Sequence, residues 1–182
     1  MSERTKLWIA GKMKELMKHK QINQIRTTEI CRAAGIDRST FYYHFKDKYD
    51  LIAWVFYHDA YITDVTDEKL AVSSMKKVKK EVLFYRRAYA DNSQNALWNY
   101  LQQYFIDEYL NAAKKKLDTD DLPEELVFAI RLYCYGSTVM AREWILNDDV
   151  TPAETVVHRM FSSMPPLMRR VCTGSEETAY KG

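Results

Sequence analysis

Along most of this chain apolar residues recur every three to four positions, and short polar breaks separate the runs. Ile9, Met13, Leu16 and Met17 share one face of a segment from about Glu3 to His19, which predicts a first amphipathic helix. A polar connection, "KQINQIR", follows. Thr27 is placed to cap a short helix over 28–34, with Ile30, Ala33 and Ala34 turned inward. Gly35 ends that helix, because the left-handed conformation wanted there costs glycine nothing. Asp37 stands where the next helix, about 38–44, begins, with its carboxylate in reach of the amide of Ser39 or Thr40. Asp47 then caps a fourth helix, with Asp50 in its first turn, where the helix dipole favours an acid. Leu51, Trp54, Val55 and His58 repeat along one face, and the helix reaches about Tyr61.

Beyond "TDVTDEK" the pattern predicts four long helices over about 68–90, 94–117, 123–147 and 153–171. The breaks "ADNS", "DTDDLP" and "NDDVTP" are rich in cap and turn residues. Pro123 and Pro152 stand at or near first helical positions, where a missing N–H costs little, and Pro165–Pro166 should kink or interrupt the last helix. With only five Gly and four Pro and no hairpin signal, the fold class reads as all-α. Its expected organisation is a head over 1–46, a connecting helix over 47–62, a helical body over 63–172 and a small, polar, disordered tail over 173–182.

Composition changes this picture little, and charge changes it more. An apolar share of 47% with 29% charged residues describes a soluble globular protein. The net charge of +2 hides an asymmetry: residues 1–50 carry 11 Lys/Arg against 6 Asp/Glu, while the rest carries 16 against 19. A basic head on a mildly acidic body suits an anionic partner, most simply nucleic acid. Cys31, Cys134 and Cys172 are odd in number and widely spaced, which argues against a disulfide framework and for a reducing compartment. The N-terminus is charged every few residues, unlike a signal peptide, and the run "LYCYGSTVMA" is too short to span a membrane. The expected location is the cytoplasm.

The stretch "ICRAAGIDRSTFYYHFKDKYDL" (30–51) carries the chemistry. Two short helices about a glycine turn, the second rich in hydroxyls and base, make a helix-turn-helix, the DNA-reading version of which lays its second helix in the major groove. Arg38, Ser39 and Thr40 occupy its first turn, where free amides and the dipole favour phosphate oxygens. Ile36, Phe41 and Phe45 seat the helix, leaving Tyr42, Tyr43 and His44 on the outer face, able to bond phosphates and pack on sugars. Lys48 is placed for a phosphate through both its ammonium and its amide.

The run Ala34-Gly35-Ile36-Asp37, Thr40-Phe41-Tyr42-Tyr43-His44-Phe45, Lys48 and Leu51 resembles the DNA-binding segment of the TetR family of transcriptional regulators. The resemblance covers residues 4–60. It implies contacts to a double-stranded DNA operator from Thr27, Thr28, Arg38, Ser39, Thr40, Tyr42, Tyr43, His44 and Lys48. Phosphate contacts should dominate affinity, with Arg38, Ser39, Thr40 and Tyr42 as the base readers. Two departures stand out: Lys20-Gln21 replaces the glycine that often closes the first helix, and bulkier or polar residues replace its small pair around Trp8 to Met13. "FYRRAYADNSQNALWNYLQQYF" and "YCYGSTVMAREWILND" resemble a TetR-type subclass that includes the activator of dihydroxyacetone kinase genes.

In this family the remaining helices form a ligand-binding and dimerisation domain. For an effector pocket the candidates are Tyr85, Tyr89, Trp98, Tyr104, Phe105, Phe128, Tyr133 and Trp144, with Arg131 or His58 as polar contacts. Aromatics at helical spacing usually fill a core. Thirteen tyrosines nevertheless bring many phenols that need partners, and these could orient a small ligand. The last two long helices are the expected dimer interface, with Gly136, Ser137 and Ala141 allowing close approach. Val139, Met140, Val156, Val157, Met160, Phe161 and Met164 would supply apolar area there. The lysine runs 76–80 and 114–116 read as solvated faces, and His19, His58 and His158 are too isolated for a metal. No phosphate-binding glycine loop, nucleophile elbow or cofactor motif appears, so no enzyme is expected. The reading is a homodimeric repressor on a palindromic operator, switched by a small ligand. The alternative is a coactivator controlled by a protein partner.

Overall fold

The computed structural model describes residues 3–60, 64–91 and 97–173. The head comprises α1 (Glu3–Met17), a single 3-10 turn (Ile22–Gln24), α2 (Thr27–Ala34) and α3 (Arg38–His44). From it α4 (Lys48–Ala60) leads into a body of α5 (Glu68–Lys80), α6 (Val82–Tyr89), α7 (Leu97–Leu117), α8 (Glu124–Asn147), α9 (Ala153–Ser162) and α10 (Pro166–Cys172). No strand occurs among the described residues, so the fold is all-α.

In the head, α1 buries Ile9, Ala10, Met13 and Met17, with Leu16 half-buried beside them. α2 starts one residue earlier than expected, at Thr27 itself, so the cap falls on Arg26. Glu29 reaches back to accept the Arg26 amide at 3.0 Å. Its inward face is Ile30, Cys31 and Ala34; Ala33 points outward, because 100° per residue carries it off the stripe. Asp37 holds the extended N-cap backbone, but its exposed carboxylate accepts no first-turn amide, contrary to the expectation. Solvent at the open end of α3 can satisfy those amides instead. Asp47 does cap α4, accepting from Tyr49 and Asp50 at 2.8 and 2.9 Å. Asp50 returns a bond from the Lys46 amide at 2.9 Å.

α4 is buried on more than the single face expected. Leu51, Ile52, Ala53, Val55 and Phe56 are all enclosed, since the head packs on one side and the body on the other. His58 lies at the surface, stacked on Trp54 with ring centroids 4.9 Å apart. The expected end of this helix at Tyr61 and the expected start of the next at 94 lie outside the described residues. So does nearly all of the expected tail.

The expected helix 68–90 is two helices. Glu81, at φ −110° and ψ 36°, breaks it. The reason is tertiary: α5 packs on α4 and α9, whereas α6 turns to pack on α8 and α1. The proline pair divides α9 from α10 as expected, with Pro166 in the first turn of α10. Pro123 and Pro152 sit at N-cap positions.

One apolar core runs through head and body together, joining Phe41, Leu51, Phe56, Tyr85, Leu101 and Trp144. A second, with Ile106, Leu126, Ile130, Cys134 and Met168, fills the far end of the body. Where α1 meets the body, Lys14 bonds Asp59 at 2.6 Å and Glu81 at 2.8 Å. Tyr85 donates to the same Asp59 at 3.1 Å, and Arg87 donates to the Met17 carbonyl.

Candidate nucleic-acid interface

The turn between α2 and α3 is built on Gly35, whose φ of 65° and ψ of 35° are left-handed. Its amide donates to Arg32 O at 3.2 Å and the Ile36 amide to Cys31 O at 3.0 Å, closing the last turn of α2. Ala34 O accepts from the Trp8 indole at 2.9 Å. The bulky residue that departs from the family pattern therefore pins α1 to the end of α2.

Phe41 and Phe45 are fully enclosed and Ile36 half-enclosed, so α3 is anchored along one side as expected. The opposite side presents Arg38, Ser39, Tyr42 and Tyr43, the last 71% exposed. Arg38 lies over the Tyr42 ring at 5.8 Å from its centroid, a cation–π contact on the exposed side of the helix. Thr28 is exposed and Thr27 half-buried at the start of α2. Thr40 is half-buried. His44 is turned further inward than expected: its ring packs edge-on to Tyr43 and its Nε2 is sealed without a partner. The helical angle from Phe41 explains this, since residue 44 falls nearer the anchored side than residues 42 and 43.

Lys48 also differs from its expected pose. Its ammonium turns back into the head, to the carbonyls of Ile22 and Ile25 at 2.7 and 2.8 Å. Burial draws its pKa below the ordinary lysine value, against the opposing charges of Asp91, Asp47 and Glu29.

In the body, the expected pocket residues disperse. Tyr89, Phe105 and Tyr133 do line a common cavity of about 100 Å³, with Phe56, Tyr109 and Thr138 among their neighbours. The Thr138 hydroxyl is buried there without a partner. Tyr85 is instead a core residue, its phenol held protonated by burial and by Asp59. Trp98 stacks under Arg142 and Tyr104 against Tyr57. Trp144 is buried, donating to Thr151 O at 2.9 Å beneath the Lys79 ammonium. Phe128 and Arg131 point outward, Phe128 being 68% exposed, because α8 turns that side away from the bundle.

That outer side of α8 continues through Leu132, Tyr135, Gly136, Val139 and Met140, all exposed. It borders a groove of about 780 Å³ between α8 and α9 that includes Gly136, Met140, Val156 and Met160. Of the expected interface residues, Val157 and Met164 face their own domain instead, since α9 buries one side against the body. Phe128, expected in the pocket, lies on this outer face instead, together with Leu132 and Tyr135, which were not expected there although their helical spacing is readable.

The 76–80 lysines are engaged locally: Lys76 with Glu154, and Lys79 with the Asp148 carbonyl. Among the described residues no set of three His, Cys, Asp or Glu side chains is arranged to hold a metal. Ser162 Oγ lies 3.4 Å from His158 Nε2, and His158 Nδ1 lies 3.1 Å from Glu68. The line-up resembles a nucleophile with its base. Yet Ser162 ends α9, where carbonyls rather than amides gather, and Arg169 is already spent on three of those carbonyls.

A glycine-turned helix pair with arginine, hydroxyl and phenol groups on its open face, rooted in a helical body, is the frame of a DNA-binding transcriptional regulator. Residues 14–55 match the family model of the bacterial regulatory proteins of the tetR family, and 68–165 match a transcriptional regulator C-terminal region. The chain belongs to the TetR family. It is 24% identical over 146 residues to the HTH-type dhaKLM operon transcriptional activator DhaS of Lactococcus lactis subsp. lactis (strain IL1403), covering 76% of this chain and 78% of that protein. A solved structure of the dihydroxyacetone kinase operon activator DhaS superposes with a TM-score of 0.59 at 18% identity, covering 97% of this chain and 100% of that one. A tetR-family regulator from Streptomyces coelicolor gives 0.52 at 18% identity, over 98% and 92% of the two chains. No described helix is long and apolar enough to cross a membrane.

Proposed function

We propose that the chain is a non-enzymatic regulator in the bacterial cytoplasm that binds a palindromic operator as a homodimer. The observation that carries this reading is the open face of α3, where Arg38, Ser39, Tyr42 and Tyr43 stand clear of a helix anchored by Phe41 and Phe45. Thr27 and Thr28 at the start of α2 flank it as phosphate contacts, and Thr40 and His44 reach the DNA only at its edge. One such helix reads few base pairs. A two-fold partner doubles the site, and the exposed apolar side of α8 supports pairing there.

Two observations favour a coactivator under a protein partner's control over a repressor with a small inducer. The enclosed cavity of about 100 Å³ is well below the roughly 300 Å³ at which ligand sites begin, and the roomier groove of about 780 Å³ borders the side of α8 proposed for pairing, so a small effector held inside the body would have to open the cavity severalfold. The curated relative is named an activator.

Selection of bound sequences from a random duplex pool tests the DNA reading. The expected product is a palindrome, and Arg38→Ala should relax preference at one position in each half-site at a cost of about 1–3 kcal/mol. Recovery of a motif without two-fold symmetry would rule out the dimeric operator. For control, no compound from a metabolite panel should raise the melting temperature by more than about a degree; a shift of several degrees would restore the small inducer.

A further inference from the structure

Lys48 opens α4, yet its side chain crosses to the segment that precedes α2. Its Nζ meets Ile22 O at 2.7 Å, Ile25 O at 2.8 Å and Asn23 O at 3.4 Å. An ammonium has three N–H donors and no acceptor, so three carbonyls occupy all of them. A phosphate oxygen would have to displace one. The bonds also span 23 to 26 residues of sequence, from the first turn of α4 to the 3-10 turn. The chain leaves Ile25 directly into Arg26 and the start of α2, where Thr27 and Thr28 lie. Ile22 and Ile25 are themselves buried, so the segment is tied down by its side chains below and by Lys48 at its carbonyls.

We propose that Lys48 is a positioning residue for DNA binding: its ammonium clasps the carbonyls of residues 22–25 and sets the start of α2 beside α3, without touching a phosphate. This rests on the DNA reading above. It also gives α4 a direct grip on a second contact element. Because Phe56 and Leu51 share one core with the body, a shift of α4 carries the start of α2 with it.

The test begins on the wild-type protein. The Lys48 ammonium should give a slowly exchanging nitrogen-15 NMR signal that stays in place when the selected operator duplex is added. Lys48→Met should weaken operator binding about tenfold, the loss of one charged hydrogen bond, along a salt dependence parallel to that of the wild type. Amide exchange in the free variant should quicken across residues 22–28, and Lys48→Arg, which can donate to the same carbonyls, should recover much of the affinity. The clasp is overturned if the ammonium signal moves on adding DNA. It is equally overturned if Lys48→Met leaves exchange at 22–28 unchanged while the salt slope falls by about 0.9, the mark of one lost phosphate contact. Should Lys48→Met not fold, the wild-type signal decides. Failure of the wild type to retain any duplex at low salt would instead sink the DNA reading, and the positioning role with it.

Discussion

Gly35 shows how much one residue can carry. Its left-handed backbone turns α2 into α3, and an added Cβ would meet nothing within 4 Å, so the cost of substitution is conformational alone. Gly35→Ala should therefore lower stability by about 1 kcal/mol, read as a reduced urea midpoint with unchanged slope. Residues of this kind are legible in sequence because their role depends on immediate neighbours: Gly35 on a helix end, Asp47 on two amides just downstream. Lys48, Trp8 and His44 were not legible in the same way. The carbonyls that receive Lys48 and Trp8 lie more than 20 residues away along the chain, and no local spacing announces them. The inward turn of His44 depends on how deeply α3 is seated.

At the scale of elements, the junction of α1 with the body shows the same limit. Glu81 breaks the run of lysines with no glycine or proline to mark it, and its carboxylate goes to Lys14. Burial acts to lower the Lys14 pKa. Its bonds to Asp59 and Glu81 outweigh that effect and hold it above the ordinary lysine value. Removing the ammonium leaves Asp59 half-enclosed beside the Tyr85 phenol. Lys14→Ala should cost about 1–2 kcal/mol, seen as a lower melting temperature. Operator affinity should fall further than stability explains, because the angle between α1 and α6 is no longer held. An affinity unchanged in the variant would show that the Lys14 bridge takes no part in coupling head to body.

For the molecule as a whole, the exposed side of α8 makes the oligomeric state testable. Leu132 is 59% exposed in the single chain, so Leu132→Glu should leave the fold intact, judged by circular dichroism. If the proposed homodimer pairs there, the same variant should run as a monomer in light scattering and lose operator binding. The buried phenols give a second whole-molecule property. Burial pushes the Tyr57 pKa from 10 up to about 12, and those of Tyr85, Tyr89, Tyr109 and Tyr133 are also raised by burial. Below pH 10 these phenols are protonated in both folded and unfolded chains and make no difference. Above it the unfolded chain ionises first, so stability should fall as pH rises from 10 toward 12, by about 1.4 kcal/mol per pH unit for each phenol. A urea midpoint that holds constant over that interval would contradict their burial.

The order of helices, the glycine turn, the anchoring aromatics and the residue types on the open face of α3 were determined by the sequence itself, because each rests on periodicity or on contacts within one turn. The division of 68–90 into two helices, the inward grip of Lys48, the outward side of α8 and the small size of the cavity were decided only by the tertiary structure. Each of these depends on which distant surfaces compete for the same side chains, and that competition has no local pattern to read.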